Sequence, residues 1–162
     1  MAVALAPWSE HDEPLLHVLL GDPAMMEHLG GPESPDRIGA RHRRYLASPA
    51  DEPQFKVLEG DLPVGWVGYW RRRWRGADVY EMGWSIAPAA QGRGLASRAA
   101  GLAVAHARDH GTLTAVHAFP MPGNAASNAV CRKAGFTLLG ETGFDYPPGT
   151  AIRVNDWCAE LS

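Results

Sequence analysis

Cysteine is scarce in this chain. Cys131 and Cys158 are its two cysteines in 162 residues, far apart and in no C-x-x-C spacing. That excludes a thiol-based metal or redox motif and makes reduced thiols in a cytoplasmic protein the expectation, with a single bridge as the alternative. An excess of one charge is missing too. The net charge is -3 with histidines neutral, so nothing calls for a nucleic-acid or anionic-membrane partner. No apolar run approaches the roughly 20 residues of a membrane span. The apolar start at residues 3–6 lacks a basic lead and is interrupted by Pro7, which argues against a secretory signal. Internal repeats, low-complexity tracts and long linkers are absent, so residues 1–162 are expected to form one domain. A hydrophobic content of 46% suits a soluble core that needs no disulfides.

What is present reads as alternating strands and helices. Residues 3–6 suit a first strand. Ser9 is a candidate helix cap, with Asp12 three residues on and Pro14 in the first turn of an apolar stripe that ends at Gly21. Residues 24–29 make a short second piece, and residues 35–47 an arginine-rich helix. Strands are expected at 54–59 and 62–70 around a Gly60-Asp61 turn. Arg71 to Ala77 reads as a basic turn, and 78–86 as the next strand. An alanine-rich helix spans 97–108, where small side chains permit close packing on a sheet. Then come a strand at 112–119 and a helix at 124–134, capped by Asn124 and closed by Gly135. Strands at 136–142 and 151–158 flank a Pro147-Pro148-Gly149 turn. The pattern is mixed α/β, with mostly antiparallel strands and one strand–helix–strand crossover.

The most informative segment is Gln91-Gly92-Arg93-Gly94-Leu95-Ala96, between a strand and a helix. Glycines there bare the backbone at a helix start, where unpaired N–H groups and the helix dipole attract anions. A pyrophosphate cradle is the first inference. A Walker A loop requires Gly-Lys-Ser/Thr, which is absent. A dinucleotide fingerprint requires a third glycine where Ser97 stands, and an acid at the end of the next strand. The segment fits Q-x-x-G-x-G/A at each fixed position. A plain tight turn is the bland alternative.

A second motif follows the next strand: Asn124-Ala125-Ala126-Ser127, then Arg132-Lys133-Ala134-Gly135-Phe136. With both motifs in order, the chain resembles the GNAT superfamily of acyl-CoA N-acyltransferases over almost its whole length. It is most similar to the branch containing ribosomal-protein alanine acetyltransferases and small-molecule acetyltransferases. Tyr80 to Ile86 resembles that family's fourth strand, and the ending Tyr146-Pro147-Pro148-Gly149 with Asn155-Asp156-Trp157 is similar to endings in that branch. The resemblance implies a mostly antiparallel sheet of six to seven strands, splayed at the fourth strand and flanked by about four helices. It implies acetyl-CoA as the acyl donor, coenzyme A as product, and no metal. Pantetheine would lie along the backbone of Ile86 and Ala87, one of which would supply the oxyanion donor. Gln91, Gly92, Arg93, Gly94, Leu95, Ala96 and Ser97 would hold the pyrophosphate. Asn124 and Ser127 would face the pantetheine amides, or simply cap their helix.

Acyl transfer to an amine needs a neutral amine, a stabilised carbonyl oxygen and a thiolate that can leave. Glu81 is the candidate base, because a charge in an apolar strand is costly unless useful; its bland role is a paired glutamate that holds the strand, against an arginine. Where many relatives carry a proton-donating tyrosine, this chain has Cys131, so Cys131, Tyr146 and solvent are the alternatives. His106 and His110 share a helix face without a third metal ligand and read as surface residues. Trp66, Trp70, Trp74 and Trp84 read as sheet packing. Met25, Met26 and His28 fall where acceptor-pocket walls are expected, or in the core. The expected protein is a cytoplasmic monomer or homodimer. It acetylates a primary amine, on a small molecule or a protein N-terminus, in a ternary complex. The rival is a non-catalytic acyl-CoA-binding or sensing domain of the same fold.

Overall fold

The structure, a computed structural model, describes residues 2–27 and 31–162. Seven strands form one sheet: β1 (Val3–Pro7), β2 (Gln54–Glu59), β3 (Leu62–Trp74), β4 (Ala77–Ile86), β5 (Ala115–Ala118), β6 (Thr137–Asp145) and β7 (Ala151–Glu160). Their order is β1-β2-β3-β4-β5-β7-β6. Neighbours are antiparallel except β4 and β5, which are parallel. Four helices flank the sheet: α1 (Glu13–Leu20), α2 (Pro35–Leu46), α3 (Leu95–His110) and α4 (Ala125–Lys133).

The β4–β5 junction is where the sheet opens. Only Tyr80 with Val116 and Glu81 with His117 are in register there. Past Glu81, β4 stays on β3 as far as the Ile86–Gly65 pair, while β5 follows β7. One strand cannot track two diverging neighbours, so the sheet opens beside the second half of β4. This is the expected splay at the fourth strand.

One sheet face carries the main core. Val57, Val67, Tyr69, Tyr80, Met82 and Val116 pack with Ala99, Ala100, Ala103 and Ala107 of α3. Those alanines are buried; a larger side chain at any of them would push α3 off the sheet. Full burial of each large apolar side chain contributes about 1.5–3 kcal/mol. Thr112 donates its N–H to the Tyr80 hydroxyl at 3.0 Å, tying the segment after α3 back to the sheet. The other face meets α1 and α2 through Trp8, Leu16 and Ile38, with Tyr45 and Trp66 against them. There Tyr45 stacks on Trp66 at 5.4 Å, and Trp66 on Trp70 at 6.3 Å. The row of rings leads from α2 to the strand pair that holds Glu81.

Several elements differ from their sequence expectation. Arg71 to Trp74 continue β3 rather than forming a turn, since they pair with Tyr80 through Ala77. Arg75 and Gly76, both at positive φ, make the turn. The arginines are not a free basic stripe: Arg71 pairs with Asp51, Arg72 with Glu81 and Arg73 with Asp78. Asp12, not Ser9, occupies the cap position of α1; its carboxylate accepts from the N–H and hydroxyl of Ser9. β5 is four residues long: Ala115–Ala118 pair with β7, and only Val116 and His117 among them pair with β4 as well. His106 is no bare surface residue. Its Nδ1 lies 2.7 Å from the Tyr69 hydroxyl, and its ring meets Phe55 edge-on. The piece expected at 24–29 is a turn over its described part. Met26 there is buried, and His28 lies outside the described residues.

Candidate active site

The phosphate-loop candidate is built as a helix start with an open mouth. Gly94 caps α3 at φ 75°, and Gly92 sits at φ 83°. This left-handed region costs other residues roughly 1–2 kcal/mol. A Cβ at either glycine would meet nothing within 4 Å. Glycine is therefore required by backbone conformation, and the space above it is clear for a ligand. The N–H groups of Gly92, Arg93, Gly94, Leu95, Ala96 and Ser97 have no acceptor among the described residues. Unpaired donors at the start of a sixteen-residue helix are what an anion site requires. Buried Leu95 anchors the helix start in the core. Gln91 sits beneath, where its Nε2 donates to the Ile86 carbonyl at 2.9 Å and lies 2.9 Å from Met25 Sδ. The Arg93 side chain turns to Glu59 at 2.7 Å, so part of its charge is already neutralised.

The loop leads into the split. Ala87 donates its N–H to the Val64 carbonyl at 2.8 Å. Antiparallel pairing alternates, so the Ile86 peptide turns away from β3 and into the opening. Of the two backbone positions expected there, Ile86 faces the gap and Ala87 is tied to β3. Across the split, Asn124 caps α4, its Oδ1 accepting from Ser127 N at 3.2 Å. Ser127 follows in the first turn, half-buried.

Beside the split lies a charged and aromatic cluster. Glu81 Oε1 accepts from Arg72 Nη1 at 3.0 Å. Burial raises the Glu81 carboxyl above its ordinary range, although Arg72 and the Trp70 indole both favour the ionised form. The Arg72 guanidinium stands 4.3 Å from the centre of the Phe144 ring and 5.6 Å from that of Phe119. A groove of about 720 Å³ runs from here toward the β6–β7 hairpin, walled by Arg72, Trp74, Phe144 and Ile152. Cys131 is elsewhere: it is fully buried in the core, and burial pushes its thiol up to about 12. Tyr146 is exposed in the loop between β6 and β7. No hydrogen bond joins either of them to Glu81 among the described residues.

A family model described as an acetyltransferase (GNAT) domain matches residues 3–137. The chain belongs to the GNAT acetyltransferase family. Solved structures agree on the fold. A GNAT-family acetyltransferase from Bacillus anthracis superposes with a TM-score of 0.81 at 20% identity, covering 99% of this chain and 96% of the other. The aminoglycoside acetyltransferase AAC(6')-Ib in complex with coenzyme A does so at 0.79 and 18%, covering 98% and 95%. An N-acetyltransferase from Staphylococcus aureus Mu50 does so at 0.77 and 16%, covering the whole of both chains. No curated protein sequence matches the chain.

Within this GNAT chain, two polar clusters escaped the sequence. Asn128 is a buried hub: its Nδ2 donates to the carbonyls of Met121 and Asn124, and its Oδ1 accepts from Asn155 Nδ2 and Trp157 Nε1. It pins α4 to β7. The Asn128–Trp157 separation hides the hub; its only local trace is a second asparagine four residues after Asn124 on the same helix. His117 and Asp156 form the other cluster, 2.6 Å apart and buried. Among the described residues there is no group of three or more His, Cys, Asp or Glu placed to hold a metal. No described helix is long and apolar enough to cross a membrane.

Proposed function

We propose that this GNAT chain transfers an acetyl group from acetyl-CoA to a primary amine by direct attack in a ternary complex. The observation that carries the proposal is the run of unpartnered amides from Gly92 to Ser97, opening onto a split where the Ile86 peptide is turned outward. These residues fit a diphosphate joined to an extended arm, since the donors are unpaired and no side chain fills the space above the glycines. Bound there, acetyl-CoA supplies an acyl group activated as a thioester.

The chain's own residues do the rest. Gly92, Gly94, Leu95, Ala96 and Ser97 bind the diphosphate through main-chain N–H groups, with partly neutralised Arg93 at the rim. Gln91 holds the Ile86 carbonyl, which fixes that peptide plane. The Ile86 N–H is the donor for a carbonyl oxygen gaining negative charge. Asn124 and Ser127 line the far wall. Glu81, half-buried and raised, accepts a proton from the amine, directly or through water. The groove walled by Arg72, Trp74 and Phe144 receives the acceptor. A neighbouring structure holding coenzyme A and kanamycin together supports a site for two ligands.

The leaving sulfur takes its proton from solvent or from Tyr146. A thiol held near 12 in a dry core is a poor donor and a poor acyl carrier, so Cys131 has a packing role in this proposal. The second reading, an acyl-CoA-binding domain without turnover, also draws on Cys131 standing where many relatives have a tyrosine. Thiol release from acetyl-CoA against a panel of primary amines, with mass spectrometry of the products, separates the two. Acetylated amine supports transfer; binding with no turnover on any amine supports the sensor.

A further inference from the structure

This inference rests on the acyl-transfer function proposed above. Trp70, Glu81, His117 and Cys158 are successive register partners on β3, β4, β5 and β7. Directly paired residues point to the same side of a sheet, on strands about 4.8 Å apart. The four side chains therefore form one row across the sheet, and its middle pair, Glu81 and His117, is the last before β4 and β5 part. Asp156, two residues before Cys158, projects on that same side.

His117 is held as a working imidazole is held. Its Nδ1 lies 2.6 Å from Asp156 Oδ1, and Asp156 Oδ2 accepts from Trp74 Nε1 at 3.1 Å. The Phe119 ring lies nearly parallel to it, at 5.7 Å and 10°. With the Trp74 indole donating to Oδ2, Oδ1 of Asp156 is placed to accept from Nδ1, and a neutral imidazole with its hydrogen there has its lone pair on Nε2. Here Nε2 has no hydrogen-bond partner among the described residues. Arg72 Nε is the one sealed side-chain nitrogen or oxygen there without a partner, so Nε2 of His117 is not sealed from solvent. Glu81 on β4 and Cys158 on β7 are the register neighbours of His117, Asp156 is its hydrogen-bond partner, and Arg72 of β3 is bonded to Glu81.

We propose that His117, oriented by Asp156, is a second proton acceptor beside Glu81 at the reacting amine. An acceptor arriving as an ammonium has two protons to lose, one before its lone pair is free and one as the nitrogen–carbon bond forms. Glu81 takes the first and passes it to water. His117 Nε2 takes the second while the carbon–sulfur bond breaks with its electron pair on sulfur. The imidazolium so formed faces the Asp156 carboxylate and gives its Nε2 proton to solvent, while the sulfur takes one from solvent or from Tyr146. The sum is an amide, a thiol and one proton released to water.

Two measurements test this. Nitrogen-15 NMR of histidine-labelled protein, without ligand, should show His117 protonated at Nδ1 and bare at Nε2, and Asp156→Asn should reverse that tautomer. In steady-state assays with acetyl-CoA and an accepted amine, His117→Gln and Asp156→Asn should each lower kcat by about 100-fold, within the usual range for a general base, with KM for acetyl-CoA changed less than about twofold. Should His117→Gln fail to fold, the isosteric Asp156→Asn and the wild-type NMR spectrum still decide. A hydrogen on Nε2 in the wild type, or a folded Asp156→Asn with kcat within about twofold of wild type, overturns the proposal while acyl transfer stands. A wild type that binds coenzyme A and acetylates no amine removes the function itself, and this inference with it.

Discussion

The Glu81 carboxylate meets the Arg72 guanidinium at 3.0 Å, yet its protonation is shifted upward. Burial outweighs the cation and the Trp70 indole. Activity that needs ionised Glu81 should therefore rise with pH through a value above the 4.5 of a free glutamate. Glu81→Gln should erase that limb of the kcat/KM profile and lower kcat by about 100-fold. The sign for stability is the opposite. A raised value means the fold favours the protonated form, so Glu81's contribution is complete below 4.5 and is lost as pH rises through its folded value. Glu81→Gln, which can still accept from Arg72, should melt at or above the wild-type temperature at pH 7. A stability loss would show the ion pair to be holding the strand.

Gly94→Ala separates backbone strain from ligand contact. At φ 75° a Cβ costs about 1–2 kcal/mol, without a clash in the free protein. The melting temperature should fall modestly. Coenzyme A affinity should fall about tenfold or more, because the methyl enters the space a diphosphate needs. Calorimetry on the folded variant gives both numbers.

Asn128→Ala should cost about 3 kcal/mol in urea unfolding with an unchanged m value. It removes the acceptor for Asn155 and Trp157 and the donor for two carbonyls. A loss below about 1 kcal/mol would show that water replaces the hub.

Asp12 governs part of the acid limb of stability. Burial pushes its carboxyl up, but the Ser9 N–H and hydroxyl and Lys56 together outweigh it, and the net shift is downward. Its contribution is present above 3.8 and is lost as pH falls through the lowered folded value. Asp12→Asn should lose about 1 kcal/mol at pH 7 and nothing in strong acid, read from melting at several pH values.

The parts of this molecule visible in its sequence are those set by local chemistry. Gly92, Gly94, Asn124 and Gly135 each answer to the backbone within a few residues, so the loop, the α4 cap and the helix ends were readable. The β2–β3 turn at Gly60 was readable for the same reason. Strand length was not. Arg71 to Trp74 look like a turn until Ala77 to Tyr80 fold back along them. Glu81 with Arg72 spans only the β3–β4 hairpin, and a glutamate paired with an arginine is a reading the sequence offers, whereas His117 with Asp156 is long-range and carries no periodic signal. The trace of each is a polar residue inside an apolar strand, which pointed to Glu81 and could equally have pointed to His117. Cys131 shows the reverse: its motif position is local, but its dry surroundings come from the packing of α4.

Titration calorimetry of the folded protein with coenzyme A and acetyl-CoA tests the central claim most directly. Both should bind at one site per chain, more weakly as salt rises, with Gly94→Ala losing most of the signal. A folded wild type that gives no binding heat with either compound, at several temperatures, would contradict the account.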